Sequence, residues 1–128
     1  MSTNRRIRRF NEERGMLAKG FNLKTAYSML AEELQELVDA DNEHETVDAL
    51  ADLIVIASGE LSKLDYDIED VMDETLLEIE SRKQNPLQAD EWRRKGASGK
   101  WLKDKNQDKK TLYTADYSKC QFKCKVII

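Results

Sequence analysis

The sequence predicts an all-α chain: a four-helix bundle-type domain carrying an irregular, basic C-terminal extension, and oligomeric. Three observations predict it. Apolar residues recur at helical spacing in four successive segments. Five glycines and one proline in 128 residues are too few for the turns of a many-stranded sheet. Charge then divides the chain. Residues 20–80 hold eighteen acids against Lys24 and Lys63, whereas residues 92–125 hold eleven bases against Asp104, Asp108 and Asp116. With 40% hydrophobic and 36% charged residues, one copy builds a thin core, and packing between copies would thicken it.

The first helix is expected over residues 4–18. Ile7, Phe10 and Leu17 give a weak stripe among Arg5, Arg6, Arg8, Arg9 and Arg14. Those arginines read either as a solvated face or as contacts to acids of another subunit or to a phosphate. Gly20 ends this helix and Asn22 caps the next. The second helix, about 23–40, carries Leu23, Ala26, Tyr27, Leu30, Leu34, Leu37 and Val38 at helical period. Asn42 and Glu45 form a capping box for a third helix, about 43–62. Val47, Leu50, Ala51, Ile54, Ser58 and Leu61 line one face of it. Leu53, Val55, Ile56 and Ala57 fill most of the rest, so its second half is expected to be buried. The fourth helix, about 68–83, shows Ile68, Val71, Met72, Leu76 and Ile79 at i, i+3, i+4, with most of its acids on a solvated face. Asn85-Pro86 stops it.

Residues 1–86 therefore make the bundle and 87–128 the extension of the same domain. The extension is aperiodic, and a hairpin or ordered loop suits it better than another helix. Its end, FKCKVII, alternates like a strand that pairs at an edge. The basic opening MSTNRRIRRF leads into no apolar signal region, and no run reaches membrane-spanning length. Cys120 and Cys124 are too few for a disulfide scaffold, which points to reduced thiols and a cytoplasmic protein.

The chemistry concentrates on acids in two helices joined by a short turn. Asp52 stands alone in ALADLIVIA, where an ionised carboxylate is costly unless paired or bound to a metal. On the second helix Glu33 falls at the edge of the apolar stripe with Glu36 beside it. Glu32 and Asp39 point away. With no base at i+4 these acids repel one another on an isolated helix, and a cation would offset that. In an antiparallel hairpin the Glu33/Glu36 face meets Asp48 and Asp52, one turn apart on the third helix. Oxygen-only ligands suit Mg²⁺, or Mn²⁺, rather than zinc. Such ions commonly bind together with substrate phosphates, and a pair of them activates water and stabilises phosphate charge. The alternative is a set of ordinary solvated acids.

Other motifs are weaker. Trp92, Trp101 and Tyr113 lie among Arg93, Arg94, Lys95, Lys100, Lys103, Lys105, Lys109 and Lys110. This tail reads as a phosphate clamp over the acidic site, as a solubilising or self-associating surface, or as a nucleic-acid patch. GASGK lacks P-loop spacing. Asp41 and His44 have acid-x-x-His spacing, but a di-iron bundle needs two such motifs in a core.

EELQE, a short turn and then VDALADLIV resembles the all-α nucleoside triphosphate pyrophosphohydrolases, the MazG-like and phosphoribosyl-ATP pyrophosphohydrolase group. Their pattern is EExxE, a spacer, then ExxD before apolar residues. Glu32, Glu33, Glu36 and Asp52 match it. The family's second-motif Glu falls on Ala49. Asp48 replaces it at i−4 from Asp52, or Glu45-x-x-Asp48 serves as the local ExxD, or neither does. Ser81-Arg82 resembles the group's Ser-Lys after the fourth helix, and GKWLK its GK-x-x-K. Tyr113 and Asp116 resemble its Tyr-x-x-Pro-Asp, with Ala115 for Pro. The match spans roughly residues 23–117, and the longer tail is similar to phage-type members.

The resemblance implies a MazG-like fold, a dimer or tetramer, and Mg²⁺-dependent hydrolysis of a nucleotide between the α and β phosphates. It implies Glu33, Glu36, Asp48 and Asp52 as metal ligands, with Glu33 or Glu36 also helping to deprotonate water. Arg82, Lys83, Lys100 and Lys103 are the implied phosphate contacts. The partners expected are a nucleotide substrate and a second copy, not a membrane or nucleic acid. Two other readings remain: a non-catalytic acidic helical module that binds a basic protein, and nucleic-acid binding through the tail.

Overall fold

The computed structural model describes residues 2–82 and 112–122. The described residues form five helices and no strand: α1 (Thr3–Glu13), α2 (Met16–Lys19), α3 (Leu23–Asp39), α4 (Glu43–Lys63) and α5 (Ile68–Ser81). They fall into two units, residues 2–69 with 120–122 and residues 70–82 with 112–119.

The starts of α1, α3 and α4 each have a side-chain cause. Ser2 Oγ accepts the Arg5 amide at 3.2 Å. Asn22 Oδ1 accepts the Thr25 amide at 3.0 Å. Asn42 Oδ1 accepts the Glu45 amide at 2.9 Å, and Glu45 Oε2 accepts the Asp41 amide at 2.8 Å, one residue before the cap that a capping box would reach. The single helix expected over 4–18 is two. Gly15 adopts a left-handed φ of 69°, and the Gly15 amide bonds Glu12 O at 3.0 Å. That conformation ends a helix and suits glycine, so the weak apolar stripe did not carry the helix through.

Helix α4 is the central element, packing against α1, α2 and α3. Its close approach to α1 uses small and polar residues. A Cβ on Gly59 would lie 3.0 Å from Asn11 Nδ2, and buried Asn11 is anchored by donating to Ile7 O at 2.8 Å. The expected burial of α4's apolar second half is therefore corrected. Ser58, Gly59, Glu60 and Ser62 are buried, whereas Leu50, Val55 and, at 65% exposure, Ile54 face outward. The sequence pattern identified an apolar helix, but within one chain the neighbour it meets selects its small side. Glu60 and Lys63 form a 2.8 Å ion pair with side chains only 9% and 5% exposed.

After α4 the chain turns through Asp65, whose φ of 68° is tolerated by a short polar side chain. Residues 65–67 pair with 120–122: Tyr66 and Gln121 form an antiparallel bridge. The Asp67 amide donates to Cys120 O at 2.7 Å and the Phe122 amide to Asp65 O at 2.9 Å. Of FKCKVII, expected to pair at an edge, only Phe122 is described, and residues 123–128 lie outside the described residues.

In the second unit, two acids of α5 hold a returning segment. Tyr113 Oη donates to Glu74 Oε2 at 2.5 Å, the Asp116 amide donates to the same oxygen at 3.1 Å, and the Ala115 amide to Glu78 Oε1 at 3.2 Å. Ser81 Oγ accepts the Tyr113 amide at 2.9 Å. Glu74 and Glu78, expected on a solvated face, are thus anchors. Hydrogen bonds from the hydroxyl and amide of Ser118 hold the Asp116 carboxylate below its ordinary pKa. Among the described residues no helix is long and apolar enough to cross a membrane.

Candidate metal centre

The seam between α3 and α4 is written in two stripes. On α3, Ala26, Leu30, Glu33 and Leu37 lose solvent, while Leu23, Tyr27, Leu34 and Val38 stay exposed. On α4, Ala49, Asp52, Leu53 and Ile56 lose solvent. Each stripe follows i, i+3, i+4, i+7 or its equivalent. Both include one carboxylate, so Glu33 and Asp52 are drawn inward by the same periodicity that buries their apolar neighbours.

Carboxylate oxygens of Glu33, Glu36 and Asp52 lie within 4.8 Å of one another. Glu33 Oε2 is buried with no hydrogen-bond partner. Crowding acids this way penalises their charged forms. The Glu33 carboxyl is pushed up from 4.5 to about 7. The largest cause is the hydrogen bond it shares with Glu36. Partial burial follows, then the negative charges of Glu36, Asp52 and Asp48. An orphaned oxygen among three hard donors, with no basic side chain in the group, fits a divalent cation such as Mg²⁺ or Mn²⁺.

The other expected site residues divide. Asp48 is exposed and outside the 4.8 Å group, yet close enough to act on Glu33 electrostatically. Glu45 is turned to the Asp41 amide, away from the cluster. Ala49, at 2% exposure, occupies the seam itself, so the carboxylate missing from the sequence motif is missing from the best-placed position. Glu32, Asp41 and His44 are exposed. In the second unit Arg82 binds Glu78 Oε2 at 3.2 Å, an i, i+4 pair that spacing could have revealed. Lys83, Lys100 and Lys103 lie outside the described residues, as does the rest of the basic tail up to residue 111.

The phosphoribosyl-ATP pyrophosphohydrolase family model matches residues 6–76. This span covers most of α1, all of α2 to α4 with the carboxylate cluster, and most of α5. No curated protein and no solved structure matches the chain. The matched span holds the acid-rich α3–α4 pair in the order EELQE then ADLIV, and on that evidence the chain belongs to the phosphoribosyl-ATP pyrophosphohydrolase family, within the MazG-like all-α nucleotide pyrophosphohydrolases.

Proposed function

We propose that this chain is a Mg²⁺-dependent nucleotide pyrophosphohydrolase, able to use Mn²⁺, that cleaves a nucleoside triphosphate or a phosphoribosyl-ATP-like nucleotide between the α and β phosphates. The observation that carries this reading is the Glu33, Glu36 and Asp52 oxygen cluster inside the span that matches the family. Glu33, Glu36 and Asp52 hold the cation, with Asp48 as a fourth ligand at the solvent edge. When bound, the cation offsets the carboxylate charge and draws in the polyphosphate. Water attacks one phosphorus beside the α–β bridging oxygen, and the bridge breaks to give a monophosphate and pyrophosphate. A carboxylate of Glu33 or Glu36 takes the water's proton. Arg82, Lys83, Lys100 and Lys103 contact the phosphates.

The reading includes a cytoplasmic homo-oligomer, a dimer or tetramer. Leu23, Tyr27, Leu34 and Val38 on α3 stand exposed, and so do Val47, Leu50 and Ile54 on α4. Together they make an apolar surface of the kind that marks a protein interface. The test of activity is pyrophosphate release from a panel of NTPs, dNTPs and phosphoribosyl-ATP with Mg²⁺ or Mn²⁺. Release that disappears with EDTA supports the proposal; survival of every substrate at all metal concentrations refutes it.

A further inference from the structure

The spacing of the three inward carboxylates bears on how many cations they hold. One oxygen from each of Glu33, Glu36 and Asp52 lies within 4.8 Å of the other two. Opposite donors around a single Mg²⁺ stand about 4.2 Å apart, twice the metal–oxygen bond of about 2.1 Å. A pair of ions about 4 Å apart needs donors at both ends, about 8 Å from one another. The cluster has the span of one ion. Charge agrees. Three carboxylates offset one divalent cation with a negative charge to spare, whereas a second cation would leave the group positive. Two doubly charged ions also repel each other about four times as strongly as two unit charges at the same distance.

The residue that keeps the cluster from growing stands on α4. Residues 40–42 join α3 to α4, and the two helices pack as an antiparallel hairpin. The step from Glu33 to Glu36 on α3 is therefore matched on α4 by the step from Asp52 back to Ala49. Ala49 lies at i−3 from Asp52 and shares its face. At 2% exposure it is the most deeply set side chain of that stripe, and a methyl group there offers no oxygen. Asp48, one residue earlier, is exposed and outside the group. Glu45 is engaged by the Asp41 amide, and Glu32 is exposed. A second cation would meet only Glu36 and Asp48, both open to water.

We propose that the centre is mononuclear, holding one divalent cation per chain, and that Ala49 is the residue that limits it to one. This rests on the reading of Glu33, Glu36 and Asp52 as metal ligands, and it concerns the number of ions rather than the reaction. Three protein oxygens leave about three of the six positions of an octahedral ion for water and phosphate oxygens.

The test is equilibrium dialysis and electron paramagnetic resonance of the full chain with Mn²⁺ and no nucleotide, with Asp52→Asn as the blank for weak surface sites. The chain holds one Mn²⁺ more than the blank, with the spectrum of a magnetically isolated ion. Ala49→Glu sets a carboxylate beside Asp52 and raises the count to two, with an exchange-coupled spectrum. Two ions per chain with a coupled spectrum in the unchanged protein overturn the proposal. So does an Ala49→Glu protein that is folded by circular dichroism and still holds one. If Ala49→Glu does not fold, the count and spectrum of the unchanged protein decide alone. Equal counts in the chain and in Asp52→Asn overturn the ligand assignment, and this inference with it. One isolated ion in a protein that releases pyrophosphate from no nucleotide supports the count while refuting the reaction.

Discussion

Loading the centre with a divalent cation should expel a proton, and the amount follows from Glu33. Its carboxyl has a pKa of about 7 in the metal-free protein because Glu36 shares a hydrogen bond with it and Asp52 and Asp48 add negative charge. A carboxylate must be deprotonated to ligate a metal. At pH 7, with half of the molecules protonated at Glu33, binding releases about 0.5 proton per site; at pH 6 this rises to about 0.9, and at pH 8 it falls to about 0.1. Mg²⁺ or Mn²⁺ titrations in buffers of different ionisation enthalpy measure the number directly. Glu33→Gln should remove the pH-dependent release and weaken cation binding together. Release near zero at both pH 6 and pH 7 would refute the assignment of a shared proton to this cluster. Release of normal size in Glu33→Gln would move it to another group.

The same shift sets the pH dependence of stability without metal. Because Glu33's folded pKa lies above its ordinary 4.5, its contribution is fully present below pH 4.5 and lost as pH rises through about 7. Melting temperatures with EDTA should show this decline, and Mg²⁺ should reverse it above neutrality. Glu33→Ala and Asp52→Ala should each cut pyrophosphate release by at least about 100-fold with helical circular dichroism unchanged, while Asp48→Asn should mainly raise the Mg²⁺ concentration required. Gly59→Ala gains about 1 kcal/mol of helix propensity but overpacks anchored Asn11 at about 1–3 kcal/mol. Urea unfolding should therefore show a net loss of about 1 kcal/mol. Lys63→Met leaves Glu60 buried and unpaired and should cost about 3 kcal/mol, with Glu60→Gln/Lys63→Met recovering part of it.

Local signals carried much of this structure. Asn22 and Asn42 announced their helices because a cap is decided within four residues, and the hairpin followed from the short turn between them. Asp52 was legible as an inward acid for a similar reason: its neighbours are apolar on every side. What failed to show was decided by partners distant in the chain. The period of α4 could not say that Asn11 would claim Gly59, leaving Ile54 outside. Nor could it say that Glu74 and Glu78 would bind the amides of residues 115 and 116, about forty positions away. Gly15 was the exception, a local break bridged by Phe10 and Leu17, which stand at helical spacing on either side of it.

The most buried side chains contributed by α3 and α4 to their shared seam are alanines, Ala26 at 5% and Ala49 at 2% exposure. Distance between packed helix axes tracks the side chains at their contact, so these methyl groups set how far apart the walls carrying Glu33 and Asp52 stand. Preferred metal–oxygen distances differ by only a few tenths of an ångström, about 2.0–2.1 Å for Mg²⁺ against about 2.3–2.6 Å for Ca²⁺. In the proposed centre Ala49 is thus a spacer between ligands, and a residue that coordinates nothing would control the ionic radius accepted there.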